Sequence, residues 1–177
     1  MADRVPESCM SVPATLDDSG KVRIGIHQVE YSVGPEIPVI HIFGRDASGR
    51  ALQVDVTGFR PYFYVPASLA DGAPLPRGVE LEPGTTYRSI RGEPLRRLYT
   101  RRPGDVRDVR NLFSEHYEAD IPFATRFMID CGLSAGVKLP PGTSVVDYRE
   151  LAPSDVAVPA RTCIMDIECV DEQGFPE

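Results

Sequence analysis

Asp166 and Glu168 flank Ile167 directly after the run Arg161-Thr162-Cys163-Ile164-Met165. That run reads as a strand. Side chains alternate faces along a strand, so two acids spaced i, i+2 point the same way, roughly 6.5–7 Å apart. Both carboxylates then reach one divalent cation, or a pair of cations about 3.5–4 Å apart. Ile164 shares their face, which begins apolar and turns acidic. Like charges at such a rim repel unless a cation or a proton intervenes. Metals held there lower the pKa of a bound water and stabilise the leaving oxygen of a phosphodiester. Such a site needs three or four carboxylates, and one strand offers two. The same pattern also fits a solvated pair.

A second constellation lies upstream, from Tyr117 to Asp130. Pro122 suits the first turn of a helix, and Arg126 follows Phe123 by about one turn. Tyr31, Pro61 and Tyr62 stand in strand-like runs. All of these fit core packing. If exposed, aromatics beside an arginine let bases stack and phosphates pair. His27, His41 and His116 are scattered, and none is expected to form a triad with a serine or cysteine. The glycines of 132–136 lack the Lys-Ser/Thr of a phosphate loop. Four cysteines (Cys9, Cys131, Cys163, Cys169) form no CxxC pair, which argues against zinc. Cys131 and Cys163 lie in apolar runs and are expected to be small buried hydrophobes in a reducing cytoplasm.

The formal charge of -7 argues against a phosphate-rich partner until its distribution is considered. Arg88 to Arg110 holds eight arginines against three acids, whereas Asp147 to Glu177 holds eight acids against two arginines. A basic segment before an acidic one suits a phosphate-contacting surface followed by a cation site, and equally two solvated faces. No signal-like or membrane-length apolar run is present, so the expected location is cytoplasmic and nucleoid-associated, with no membrane partner.

The elements that would position these residues are mostly strands. Residues 1–21 read as a flexible tail. Alternation predicts strands over 22–27, 39–43, 51–57 and 62–65, the second and third joined by the turn residues 44–49 as a hairpin. Residues 66–86 are rich in proline and glycine and read as loop, with a short strand about 79–81. Asp105 is expected to cap a helix with the apolar stripe Val106, Val109, Leu112 and Phe113. A second helix runs 123–130 and ends at Gly132. The class is α+β: an antiparallel β-rich domain over 22–146 with two helices, then 147–177 as linker and one further strand carrying the carboxylates.

Tyr117-Glu118-Ala119-Asp120-Ile121-Pro122-Phe123 through Arg126-Phe127-Met128-Ile129-Asp130-Cys131-Gly132-Leu133 resembles the segment that archaeal-type B-family DNA polymerases carry before their exonuclease domain. Ile164-Met165-Asp166-Ile167-Glu168 resembles the family's first exonuclease motif. Phe59-Arg60-Pro61-Tyr62-Phe63-Tyr64 and Pro38-Val39-Ile40-His41-Ile42-Phe43 are similar to two further landmarks, in the family's order. The resemblance implies that 22–146 is the N-terminal, template-binding domain of a DNA-directed DNA polymerase active in replication. It implies that the last residues open a ribonuclease-H-like 3′–5′ proofreading exonuclease. Asp166 and Glu168 would then be catalytic acids holding Mg²⁺ (or Mn²⁺) in the complete enzyme, with no metal firmly held by this chain alone. Tyr31, Pro61, Tyr62, Ile121, Pro122, Phe123 and Arg126 match the positions that capture template uracil, while Arg96-Arg97 replace apolar pocket wall. The implied partners are single-stranded template DNA, the remainder of the polymerase and a sliding clamp. The second and third exonuclease motifs and the polymerase motifs are absent, so 1–177 alone is expected to be inactive. The other reading is a non-catalytic single-stranded DNA and uracil-sensing module of a split polymerase.

Overall fold

The computed structural model describes residues 16–34, 37–84, 87–156, 158 and 163–166. Its frame is a six-stranded sheet in the order β10-β8-β1-β2-β3-β9. Those strands are β1 (Val22–Val33), β2 (Pro38–Asp46), β3 (Ala51–Thr57), β8 (Gly136–Leu139), β9 (Val145–Asp147) and β10 (Ala152–Pro153). All neighbours run antiparallel except β3 and β9. The period-2 alternation of β2 and β3 puts Ile40, Ile42, Val54 and Val56 on one buried face. The β2–β3 hairpin forms as expected, pairing Arg45 with Ala51.

A second sheet, β4-β7-β5 with β6 also on β7, packs beside it. It comprises β4 (Tyr62–Pro66), β5 (Glu80–Leu81), β6 (Tyr87–Arg88) and β7 (Pro94–Tyr99). Among the described residues three α-helices accompany the sheets: α1 (Ala67–Ala70), α2 (Asp105–Arg110) and α3 (Phe123–Asp130). The α+β, mainly antiparallel architecture is therefore observed, with α1 as a short addition inside what reads as loop.

Three local expectations change. Arg96 and Arg97 sit at the centre of strand β7, because β4, β5 and β6 all pair with it. Helix α2 is capped at Gly104 without a side-chain bond, and Asp105 is its first residue, its carboxylate accepting from the Arg102 N–H at 3.0 Å. The helix stops at Arg110, so of the predicted stripe Leu112 is exposed while Phe113 still packs on the second core. Residues Cys163–Asp166 carry no strand, and Cys163 is exposed rather than buried. Cys131 is half-buried, and burial pushes its thiol up to about 11.

Helix α3 follows its sequence pattern closely. Phe123, Arg126 and Phe127 form the buried stripe, spaced i, i+3, i+4. Gly132 ends it at φ 62, a left-handed backbone in which the Leu133 N–H reaches back to the Met128 carbonyl at 2.8 Å. Glycine has a different use on the outer face of the large sheet. A Cβ on Gly25 would meet Val158 Cγ2 at 2.7 Å, and one on Gly136 would meet the Ser154 carbonyl at 2.6 Å. The two bare positions let Ser154, Val156 and Val158 lie against the sheet.

The β2–β3 turn is held by a buried charge. Asp46 is 1% exposed and accepts from Ser48 Oγ at 2.6 Å and from the Ser48 and Arg50 N–H groups, each at 3.0 Å. Burial raises its pKa, but these donors outweigh it and hold the carboxyl below the usual range. We expect Asp46→Asn to cost about 2 kcal/mol at neutral pH, measured by urea unfolding. The folded pKa lies below the unfolded value of about 3.9, so the contribution is full above that value and disappears as pH falls through the folded pKa. The gap between Asp46→Asn and the parent should close in acid.

Candidate functional site

Two cores meet at β4. The larger is built on the six-stranded sheet and α3, and the smaller on β4, β7, α1 and α2. The positions matched to uracil capture lie in two groups rather than one. In the first, Tyr31 on β1 is 42% exposed, and its ring meets Phe123 edge-on at 5.2 Å. Phe123 continues inward to Phe59 at 5.5 Å, which contacts Phe127 and Tyr148 at 5.4 Å each. Pro122 is exposed and Ile121 half-buried at the helix start. One solvent-facing tyrosine thus sits on a stack of buried rings. Such a stack holds its outer ring without much further loss of side-chain freedom.

The second group is Tyr62 and Arg126, both 6% exposed. The Tyr62 hydroxyl donates to Asp130 Oδ2 at 2.5 Å, and the Arg126 guanidinium lies 4.9 Å from the Tyr62 ring centroid. Arg126 Nη2 donates to Glu118 Oε2 at 2.5 Å, and its Nη1 stands 3.8 Å from Asp130 Oδ1. Burial and the adjacent Asp130 carboxylate push the Tyr62 phenol well above its ordinary range. Burial works against the Arg126 charge, but Glu118 and the neighbouring acids outweigh it. Arg126 is therefore an internal, charge-paired residue in this conformation. Pro61, which precedes Tyr62, is buried, its carbonyl accepting from the Thr100 N–H at 2.9 Å.

Arg97 also approaches Tyr62, 4.3 Å from its ring centroid and 4.4 Å from that of Tyr87. Its two terminal nitrogens donate to the hydroxyls of Tyr99 at 3.1 Å and Tyr64 at 2.9 Å, with Glu82 at 3.5 Å. A cavity of about 610 Å³ opens here, walled by Phe59, Arg60, Tyr62, Tyr99, Asp130 and Tyr148 among others. Of the positions matched to uracil capture, Tyr62 alone lines it. Arg96 points elsewhere and pairs with Asp71 at 2.9 Å. Sequence reasoning missed Phe59, Glu118 and Asp130, although all three lie inside the quoted motifs. A backbone signal marks Glu118: its φ is 59, the one positive value on a described non-glycine residue.

The histidine expectation needs correction. Ser32 Oγ lies 2.8 Å from His41 Nε2, and His41 Nδ1 lies 2.8 Å from Asp55 Oδ1. Three adjacent strands bring together a serine, a histidine and an aspartate that sequence separates. The row lines neither this cavity nor a smaller hollow beside His27 and Phe43.

Asp166 is described and exposed, while Glu168 lies outside the described residues. Among the described residues no group of three or more His, Cys, Asp or Glu could hold a metal ion.

Against known proteins, no family model matches the chain. DNA polymerase 2 of Aeropyrum pernix is 33% identical over 148 residues, which is 70% of this chain and 17% of that protein. A DNA polymerase of Thermococcus gorgonarius is 34% identical over 116 residues, 54% of this chain and 15% of that protein. In three dimensions, the family B DNA polymerase of Pyrobaculum calidifontis matches 78% of this chain with a TM-score of 0.59 and 25% identity. This chain belongs to the archaeal-type family B DNA polymerases. It spans less than a fifth of those two curated relatives and 21% of the solved chain. Among the described residues, no helix is long and apolar enough to cross a membrane.

Proposed function

We propose that this region is the template-holding part of a DNA-directed DNA polymerase. The complete protein would join nucleotides by template-directed phosphodiester formation and proofread with a 3′–5′ exonuclease. The alignment with DNA polymerase 2 of Aeropyrum pernix over 70% of the chain carries the reading. Asp166 and Glu168 belong, in this reading, to the Mg²⁺ or Mn²⁺ site of the complete enzyme. The catalytic apparatus lies in other parts of such an enzyme, so 1–177 alone should turn over neither nucleotides nor DNA.

Two surface features support a single-stranded DNA ligand. Tyr31 offers an exposed ring on a rigid support, where a base can stack. Arg77, Arg102 and Arg107 are exposed and form no ion pair among the described residues, whereas Arg60, Arg96, Arg97 and Arg126 are all paired with acids. Arginines without an internal carboxylate are the ones free to meet phosphate.

Anisotropy of a fluorescein-labelled single strand, titrated across salt, tests this. Tyr31→Ala should weaken binding by about tenfold at every salt concentration, since stacking on one aromatic contributes about 1–3 kcal/mol. The pair Arg102→Ala/Arg107→Ala should flatten the log–log salt slope by about 1.4, two phosphate contacts of roughly 0.7 each. Affinity that ignores salt would sink the template reading. Oligonucleotides with thymine or uracil at one position show whether the surface also discriminates uracil.

A further inference from the structure

We propose that Glu118 is a displaceable latch on Arg126, a carboxylate that occupies the guanidinium until a phosphate of the single strand replaces it. The inference rests on the template reading above and names how that site is gated. Four observations carry it. Arg126 and Glu118 are joined at 2.5 Å, yet their side chains are 8% and 48% exposed, so the carboxylate stands between the guanidinium and solvent. Arg126 is one turn along α3 from Phe123, whose ring supports the exposed Tyr31, so a strand stacked on Tyr31 brings phosphates to the same helix end. Arg126 Nε is buried with no hydrogen-bond partner, so the enclosed guanidinium is not fully satisfied.

The fourth observation concerns the backbone. Glu118 adopts φ 59, which an L residue with a long side chain rarely does. Its neighbours fix the chain on both sides. Tyr117 exchanges two backbone hydrogen bonds with Tyr64, at 2.8 and 3.0 Å, and the Ala119 carbonyl accepts from Arg110 at 3.2 Å. Glycine would meet that backbone requirement without strain, and glutamate meets it only with strain. What glutamate adds at this place is its carboxylate on Arg126. The carboxylate also repels an approaching phosphate, so it lowers affinity twice: it occupies the cation and opposes the anion.

Three variants of the polymerase region test this by anisotropy on a labelled oligo-dT strand across salt. Glu118→Gln removes the charge, and Glu118→Gly removes the side chain at a position where glycine relieves the backbone strain. Each should tighten binding by about fivefold, and the salt slope should steepen by about 0.7 for one added phosphate contact. In Glu118→Gly/Arg126→Met the gain should vanish, because the freed cation is gone while a side chain of similar length fills its place. A gain that survives Arg126→Met would show general loss of negative charge and overturn the latch. If the parent binds the strand and both Glu118 variants match it in affinity and slope, the latch is wrong and the template reading stands. If neither parent nor variants bind, both fail.

Discussion

Replacing Phe127 by alanine should cost about 3–5 kcal/mol of folding stability, the range for emptying a fully buried aromatic site. Phe127 is 0% exposed, and its ring meets Phe59 edge-on at 5.4 Å. It is the residue through which α3 is seated in the large core, one position after Arg126 and four after Phe123. Domains of this size are stable by about 5–15 kcal/mol in all, so the variant should lose about a fifth of the total or more. Urea unfolding followed by far-ultraviolet circular dichroism measures it. The chain has no tryptophan, so tyrosine emission is the available intrinsic fluorescence probe. The functional consequence should exceed that of a remote core substitution. A loosened α3 lets Phe123 withdraw from Tyr31, so single-strand affinity should fall with stability. Phe127→Leu keeps most of the volume and should cost less than half as much.

The second large effect is expected at Arg97. Arg97→Met should cost about 3 kcal/mol, as removal of one member of a largely buried charged network does. The guanidinium lies 4.3–5.9 Å from the centroids of four tyrosine rings and donates to two of their hydroxyls. Glu82 would keep the Tyr87 hydroxyl at 2.6 Å and the Tyr99 hydroxyl at 3.2 Å but lose its cation. Burial opposes the Arg97 charge, yet the hydrogen bonds to Tyr99 and Tyr64 outweigh it, so the group stays ionised at every accessible pH. Lysine keeps the charge without the planar fork, and Arg97→Lys should recover part of the loss but not all of it. If Arg97→Met unfolds at the parent's urea midpoint, the tyrosine cage contributes nothing to stability.

These two positions show different relations between sequence and fold. Phe127 was legible: it stands in an i, i+3, i+4 pattern after a proline and before a glycine, and local chemistry alone implies a helix with that face buried. Arg97 was not. Its own segment reads as charged and exposed, and only the pairing of β7 with three other strands turns it inward among Tyr62, Tyr64, Tyr87 and Tyr99. The β2–β3 hairpin belongs with the first kind, because a turn and two alternating runs are contiguous. The Ser32–His41–Asp55 row belongs with the second, because register across three strands sets which side chains become neighbours.

The sequence by itself determined the α+β class, the presence of the first four strands, helix α3 and, through ordered motifs, the polymerase family to which the comparisons also point. Those properties depend on periodicity and on contiguous residues, which a chain displays without being folded. The tertiary structure decided which aromatic faces solvent and which arginine is already occupied. Tyr31 and Tyr62 look alike in sequence, yet one is 42% and the other 6% exposed. In sequence Arg126 fits either core packing or an exposed phosphate contact, and in the fold Glu118 holds it at 2.5 Å. Exposure and charge pairing depend on residues brought near from elsewhere in the chain, and that proximity exists only once the two sheets and α3 have packed.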